Sequence, residues 1–100
     1  MTDVTFLALA ESDLLRLYAE SENRAVGGGE KFTHEIEKVL RLICRLPRLG
    51  RVVGAPYRRV KLSRFPFSLI NVVEGRRLLI HAIASDREPL EMLLRRLRQR

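Results

Sequence analysis

The residues best able to do chemistry sit in the middle of the chain. From Lys38 to Val73 there are nine bases (Lys38, Arg41, Arg45, Arg48, Arg51, Arg58, Arg59, Lys61 and Arg64) and no acid. Cations without carboxylates among them hold anions, either phosphates or the carboxylates of an acidic protein. Groups that could turn over a substrate are scarce. His81 lies among Ile80, Ala82 and Ile83, which reads as a structural strand position, although an imidazole titrates in the range a general base needs. His34 falls on the polar side of a helical pattern. Cys44 sits beside an apolar stripe and reads as inert core, since a reactive thiol needs exposure as well as a lowered pKa. Ser12, Ser21, Ser63, Ser68 and Ser85 have no nucleophile-elbow context. Gly27-Gly28-Gly29 lacks both the preceding strand and the following Lys-Ser/Thr of a phosphate loop.

The rest of the charge is as uneven. Residues 1–37 carry eight acids and three bases, net −5, and the last 27 residues carry seven arginines against four acids, net +3. The whole chain is +7, a dipole whose basic middle third is the expected contact surface. With 100 residues, 46% hydrophobic and 31% charged, it reads as one domain over 1–100. One cysteine makes no internal disulfide, and with two histidines no zinc set is available, so no metal and no cofactor are expected. Apolar runs such as Phe6–Ala10 and Leu78–Ile80 are far below the ~20 residues that span a bilayer. Asp3 stands where a secretory signal would be basic, so the expectation is a cytoplasmic protein read from its natural start, with no membrane partner.

Periodicity supplies the elements that must position these groups. Val4 and Phe6 alternate in a short first strand, and Ala10, Leu14, Leu17 and Tyr18 mark a helix over roughly 9–22. Asn23–Gly29 reads as a turn because three successive glycines cost about 1 kcal/mol each inside a helix. Phe32, Ile36, Val39, Leu40, Ile43 and Leu46 mark a second helix, ended by Pro47 and Gly50. After a loop with Gly54 and Pro56 the period becomes that of strands: Val60 and Leu62, then Phe65 to Val73, a Glu74-Gly75 hairpin, and Arg77–Ala84. Ser85 and Glu88 match a capping box, and residues 86–100 read as an amphipathic helix with Leu90, Leu93, Leu94 and Leu97 on one side. The order β-α-α-β-β-β-α predicts an α+β fold, an antiparallel sheet with a helical hairpin on one face.

Four segments then resemble the RelE/ParE superfamily of toxins from type II toxin–antitoxin pairs, in its ParE-like branch. Ala10-Glu11-Ser12-Asp13-Leu14-Leu15-Arg16-Leu17-Tyr18 is similar to that family's opening helix. Phe32 to Leu49 with Gly50-Arg51 resembles its second helix and exit. Arg59-Val60-Lys61-Leu62-Ser63-Arg64-Phe65-Pro66-Phe67 resembles the strand in which a base precedes Phe-Pro-Tyr, and Ile80-His81-Ala82-Ile83-Ala84 with Arg87 and Pro89 resembles the last strand. Two departures stand out. Ser85-Asp86-Arg87 replaces a histidine, glycine and two arginines, so only Arg87 carries over; and the triple glycine replaces alanine-rich helix, which would let the second helix begin as early as Arg24.

The resemblance implies a growth-inhibiting toxin neutralised by a cognate antitoxin in a hetero-oligomer, acting in one of two ways. ParE-like members are linked to inhibition of DNA gyrase by protein contact; RelE-like members cut messenger RNA on the ribosome. Cutting needs groups that activate a 2′-hydroxyl, stabilise the phosphorane and protonate the leaving oxygen. Arg59, Lys61, Arg64 and Arg87 could stabilise charge, but no tyrosine follows Tyr57 to serve as the late acid–base group. No catalytic residue is therefore assigned, and the expectation is a binding inhibitor. Arg58, Arg59, Lys61, Arg64 and Arg87 are the expected target surface. Leu90, Leu93, Leu94 and Leu97 pack either on the chain's own sheet or on the antitoxin. A third reading is an inactive homologue kept as an antitoxin partner or DNA co-repressor.

Overall fold

The structure is a computed structural model and describes residues 3–99. Strand β1 (Asp3–Phe6) leads into helices α1 (Ala8–Arg24) and α2 (Gly28–Arg45). Strands β2 (Arg51–Val52), β3 (Arg58–Lys61), β4 (Phe67–Glu74) and β5 (Arg77–Ser85) follow, and helix α3 (Leu90–Arg98) ends the chain. The five strands form one sheet in the order β1-β5-β4-β3-β2.

The α+β class and the helical hairpin stand as expected, with three corrections. The sheet is mixed rather than antiparallel, because β1 pairs parallel to β5 while every other neighbour is antiparallel. A strand followed by two helices re-enters the sheet through a crossover, and it can then lie parallel to a strand far along the chain. A fifth strand, β2, stands where the sequence predicts only the exit from α2 and a loop: two residues are too short for any period to register. The capping box does not form. Ser85 Oγ accepts the Arg87 N–H at 3.1 Å, the Glu88 N–H goes to the Ser85 carbonyl, and α3 starts only at Leu90 behind Pro89. The expected helix over 86–100 thus covers Leu90–Arg98, and Arg100 lies outside the described residues.

The triple glycine splits between turn and helix. Gly27, at φ +83°, is the left-handed residue that reverses the chain, whereas Gly28 and Gly29 form the first turn of α2. Close approach selects them: a Cβ on Gly28 would run into the Ser21 carbonyl, and one on Gly29 would sit 2.6 Å from the Tyr18 ring. Glu22 of α1 accepts the N–H groups of Gly27 (3.2 Å) and Gly29 (3.1 Å), supplying the free amides of a helix start with a carboxylate. Local propensity loses here to packing between the two helices.

The hairpin covers one face of the sheet. Ala10 and Leu17 of α1 and Phe32, Ile36, Val39 and Ile43 of α2 are buried against Val60, Leu62, Leu69, Leu78, Ile80 and Ile83. Phe32 meets Phe65 and Phe67 edge-on, with ring centres 5.5 and 5.9 Å away. On the opposite face Ile70, Ala82 and Ala84 form a smaller cluster under Leu93 of α3, with Leu9, Tyr57 and Leu97 at its margin. The register between β4 and β5 shifts at Ile70/Asn71, so that Ile70 pairs with Ala82 and Asn71 with Ile80. His81 is the extra residue, and the bulge is what turns both Ile80 and Ile83 to the hairpin face. No described helix is long and apolar enough to cross a membrane.

Candidate functional site

Alternation along β3 decides where its cations go. Val60 opposes Leu69 on the hairpin face, so Arg59 and Lys61, opposite Ile70 and Ser68, face the other way. There they meet Asp86, in the turn after β5. Lys61 Nζ lies 2.6 Å from Asp86 Oδ2 and Arg59 Nη2 3.2 Å from Oδ1, which also accepts the Ser68 hydroxyl at 3.1 Å. Lys61 Nζ donates as well to the Phe65 carbonyl at 3.3 Å. Burial raises the Asp86 carboxyl, but the hydrogen bonds from Lys61, Ser68 and Arg59 and the Lys61 charge outweigh it and hold the group below its ordinary value. One carboxylate offsets only one of the two cations, so the cluster stays positive; Arg59 is largely covered, whereas the Lys61 side chain is 64% exposed.

The other expected target residues lie elsewhere. Arg58 is on the hairpin side of β3 and donates to the Gly50 carbonyl at 2.6 Å, tying β3 to the exit from α2. Arg64, on the β3–β4 loop, borders a groove beside α2. Arg87 is exposed and borders a second groove that contains Asp13 and Arg16. Of the five, the structure brings together Arg59 and Lys61 only. A cleft of about 840 Å³ wraps round the edge of β3 beyond the two residues that β2 covers, with Val39, Leu42, Leu49 and Val60 on one side and Arg59, Lys61 and Asp86 on the other.

The leucine stripe of α3 is used largely inside the chain. Leu93 is fully buried, Leu97 packs beside it, and Leu94 reaches Gly54, where a Cβ would sit 3.1 Å from its Cδ2. Leu90 is 45% exposed. An ionic clamp fixes the helix: Arg96 donates to Glu88 (2.8 and 3.1 Å) and to Asp13 (3.1 and 3.3 Å). The bonds to Glu88 foremost, with the charges of Asp13 and Glu88, raise the Arg96 pKa further despite partial burial.

Three acids that matter here escaped the sequence reading of sites. Asp13, 3% exposed, accepts the buried Ile83 N–H at 3.0 Å as well as Arg96, and so joins α1, β5 and α3. Glu35, 7% exposed, accepts both the N–H (3.1 Å) and the hydroxyl (2.6 Å) of Ser63. That hydroxyl bond is the main reason its carboxyl sits below the ordinary range, against the opposing effect of burial. Spacing offered a signal for both: Asp13 lies three residues from Ala10 and four from Leu17, and Glu35 likewise between Phe32 and Val39, so each is a carboxylate on an apolar face. Asp86 gave no such signal, since its partners are 25 and 27 residues away.

His81 and Tyr57 meet edge-on at 5.2 Å at the margin of the cluster beneath α3. Burial lowers the His81 pKa, partly offset by the Glu74 charge. His34 is exposed, and Cys44 is half-buried against the main core. Among the described residues no group of three or more His, Cys, Asp or Glu is placed to hold a metal ion.

The fold matches a chain of a solved structure described as the chromosomal ParDE toxin–antitoxin system from P. aeruginosa. The TM-score is 0.60 at 23% identity, over 85% of this chain and 96% of that one. The likeness is one of fold, and it gives this chain the ParE-like architecture that the four sequence segments suggested. No protein-family model matches the chain, and no curated protein matches it in sequence.

Proposed function

We propose that this chain is the toxin of a type II toxin–antitoxin pair, that a cognate antitoxin neutralises it, and that it arrests growth by binding a cellular target, DNA gyrase, rather than by cutting RNA. The ParE-like fold supports the toxin role. The observation that carries the mode of action is the state of Arg59 and Lys61. Both are paired to Asp86, whose carboxyl the same contacts hold below its ordinary pKa, so it is poorly suited to act as a general acid. Phosphodiester cleavage needs an acid–base pair beside the cations that stabilise the phosphorane. No tyrosine follows Tyr57, and the Tyr57–His81 pair packs edge to face at the margin of the apolar cluster. A binding inhibitor needs only a surface, and an acidic antitoxin segment would complement the net charge of +7 and be steered to it.

Expression without the antitoxin tests the toxin role, and two assays separate the modes. Purified protein is expected to inhibit gyrase supercoiling and to leave ribosome-bound messages intact. Codon-specific cuts in primer-extension mapping would replace this proposal with the ribosome-dependent nuclease, and absence of growth arrest would leave an inactive homologue that serves as an antitoxin partner.

A further inference from the structure

The proposed function does not use the outer face of α2, which carries a row of basic side chains outside any salt bridge among the described residues. Lys31, His34, Lys38, Arg41 and Arg45 follow one another at intervals of three, four, three and four residues, which places them on one stripe of the helix. All five are exposed. At a rise of 1.5 Å per residue the stripe is about 21 Å long. Across from it stand Arg64 and Phe65 of the β3–β4 loop, and a groove of about 860 Å³ runs between them and Lys31, His34, Lys38 and Arg41, with Arg45 one turn further along the helix.

Ion pairing separates these cations from the Arg59–Lys61 cluster and from Arg16 and Arg96. Among the described residues the salt bridges use Arg16, Arg59, Lys61 and Arg96, and none uses Lys31, Lys38, Arg41, Arg45 or Arg64. Two carboxylates share the groove: Glu35, buried and bonded to Ser63, and Glu30, exposed and in no salt bridge, so the walls keep a net positive charge from Lys31, Lys38, Arg41 and Arg64. Exposed cations left unpaired at regular spacing along a groove suit a ligand with regularly spaced negative charge.

We propose that this groove binds a single nucleic-acid strand through its phosphate backbone, without sequence preference. Two observations favour a strand over an acidic protein or a double helix. Protein interfaces centre on apolar and aromatic anchors, yet none of the exposed large hydrophobic residues falls between Lys31 and Arg45. A groove with two banks admits one backbone, and Phe65, half-buried against Phe32 and Phe67, leaves only part of its ring at the groove's edge. This surface lies apart from the Arg59–Lys61–Asp86 cluster and does not depend on the toxin assignment, since oligonucleotide binding and growth arrest are separate readouts.

Fluorescence anisotropy with a labelled oligo-dT of about 15 nucleotides, titrated at several salt concentrations, tests it. Each phosphate contact to a single strand contributes about −0.7 to the slope of log K against log salt. The triple variant K38Q/R41Q/R45Q is expected to flatten that slope by about 2 and to weaken low-salt binding by about tenfold or more. The triple variant R76Q/R77Q/R98Q removes the same charge elsewhere and is expected to leave slope and affinity nearly unchanged. K38R/R41K/R45K should bind like the parent, and circular dichroism should show all three variants folded, because the positions are exposed. Equal losses in the two neutralising triples would reduce the effect to net charge and overturn the proposal. So would a duplex of the same length that binds as tightly with the same sensitivity to the stripe, or polyglutamate that competes as well as unlabelled oligo-dT.

Discussion

The two faces of the sheet are built to different rules. The hairpin face is a continuous apolar layer in which α1 and α2 bury Phe32, packed edge-on against the half-buried Phe65 and Phe67, and several Leu, Ile and Val side chains. The opposite face is split. One part, Ile70, Ala82 and Ala84, is small enough to let a nine-residue helix settle on it, and the other part is the polar group of Arg59, Lys61, Ser68 and Asp86. The contrast teaches a division of labour: burial area on the first face stabilises the fold, while the second can carry charge because it contributes less to stability.

The largest test of this contrast sets a core residue from each face side by side. Phe32→Ala should cost about 3–5 kcal/mol in urea unfolding, since it empties the centre of the aromatic trio. Asp13→Ala comes next at about 2–3 kcal/mol, because it leaves the buried Ile83 N–H unpaired and frees Arg96 from α1, the two contacts that bind the faces together. Leu93→Ala should cost about 2 kcal/mol, with helical circular dichroism lost from α3 alone. A Leu93→Ala loss as large as that of Phe32→Ala would make the second face a full partner in stability and break the contrast.

Acid should sharpen it. Glu35 and Asp86 have folded pKa values below their ordinary 4.5 and 3.8, so as pH falls through that range the unfolded chain takes up protons first. Their stabilisation is complete above the ordinary range and is lost as pH drops toward the folded values. His81 acts earlier, because its folded pKa is also below its ordinary 6.5 and the unfolded chain takes up its proton before the folded one. Stability should begin to decline below about pH 6.5, and His81→Phe should abolish that first decline while leaving the later one. A urea midpoint that stayed flat from pH 7 to 5 would show that His81 accepts its proton in place.

The smallest effect runs the other way. Asn71, 1% exposed on the hairpin face, has neither its amide nitrogen nor its oxygen hydrogen-bonded within the protein. Replacing it with leucine, of similar shape, should raise stability by about 1 kcal/mol, read as a higher urea midpoint.

Much of the hairpin face was legible before any tertiary information. Phe32, Ile36, Val39 and Ile43 declare themselves by spacing, as do Val60 and Leu62. The mixed sheet was not legible, because which strand lies beside β1 is settled by the crossover of two helices and not by any local pattern. The pattern of cations was legible as charge but not as sites. Arg58, Arg59, Lys61 and Arg64 look like one cluster in the chain, yet strand alternation sends Arg58 to one face and Arg59 with Lys61 to the other, and the loop carries Arg64 to the groove beside α2.

The sequence by itself determined the order of the elements, the apolar faces of the helices and the strong charge asymmetry, all of which follow from residue type repeated at a local period. The tertiary structure alone decided which charges are free. Lys61 and Arg59 share an aspartate 25 and 27 residues away, whereas the cations from Lys31 to Arg45 form no salt bridge and the carboxylate of Glu35 beside them is bonded to Ser63. Coulomb attraction depends on distance in space, and only the folded sheet brings Asp86 within reach.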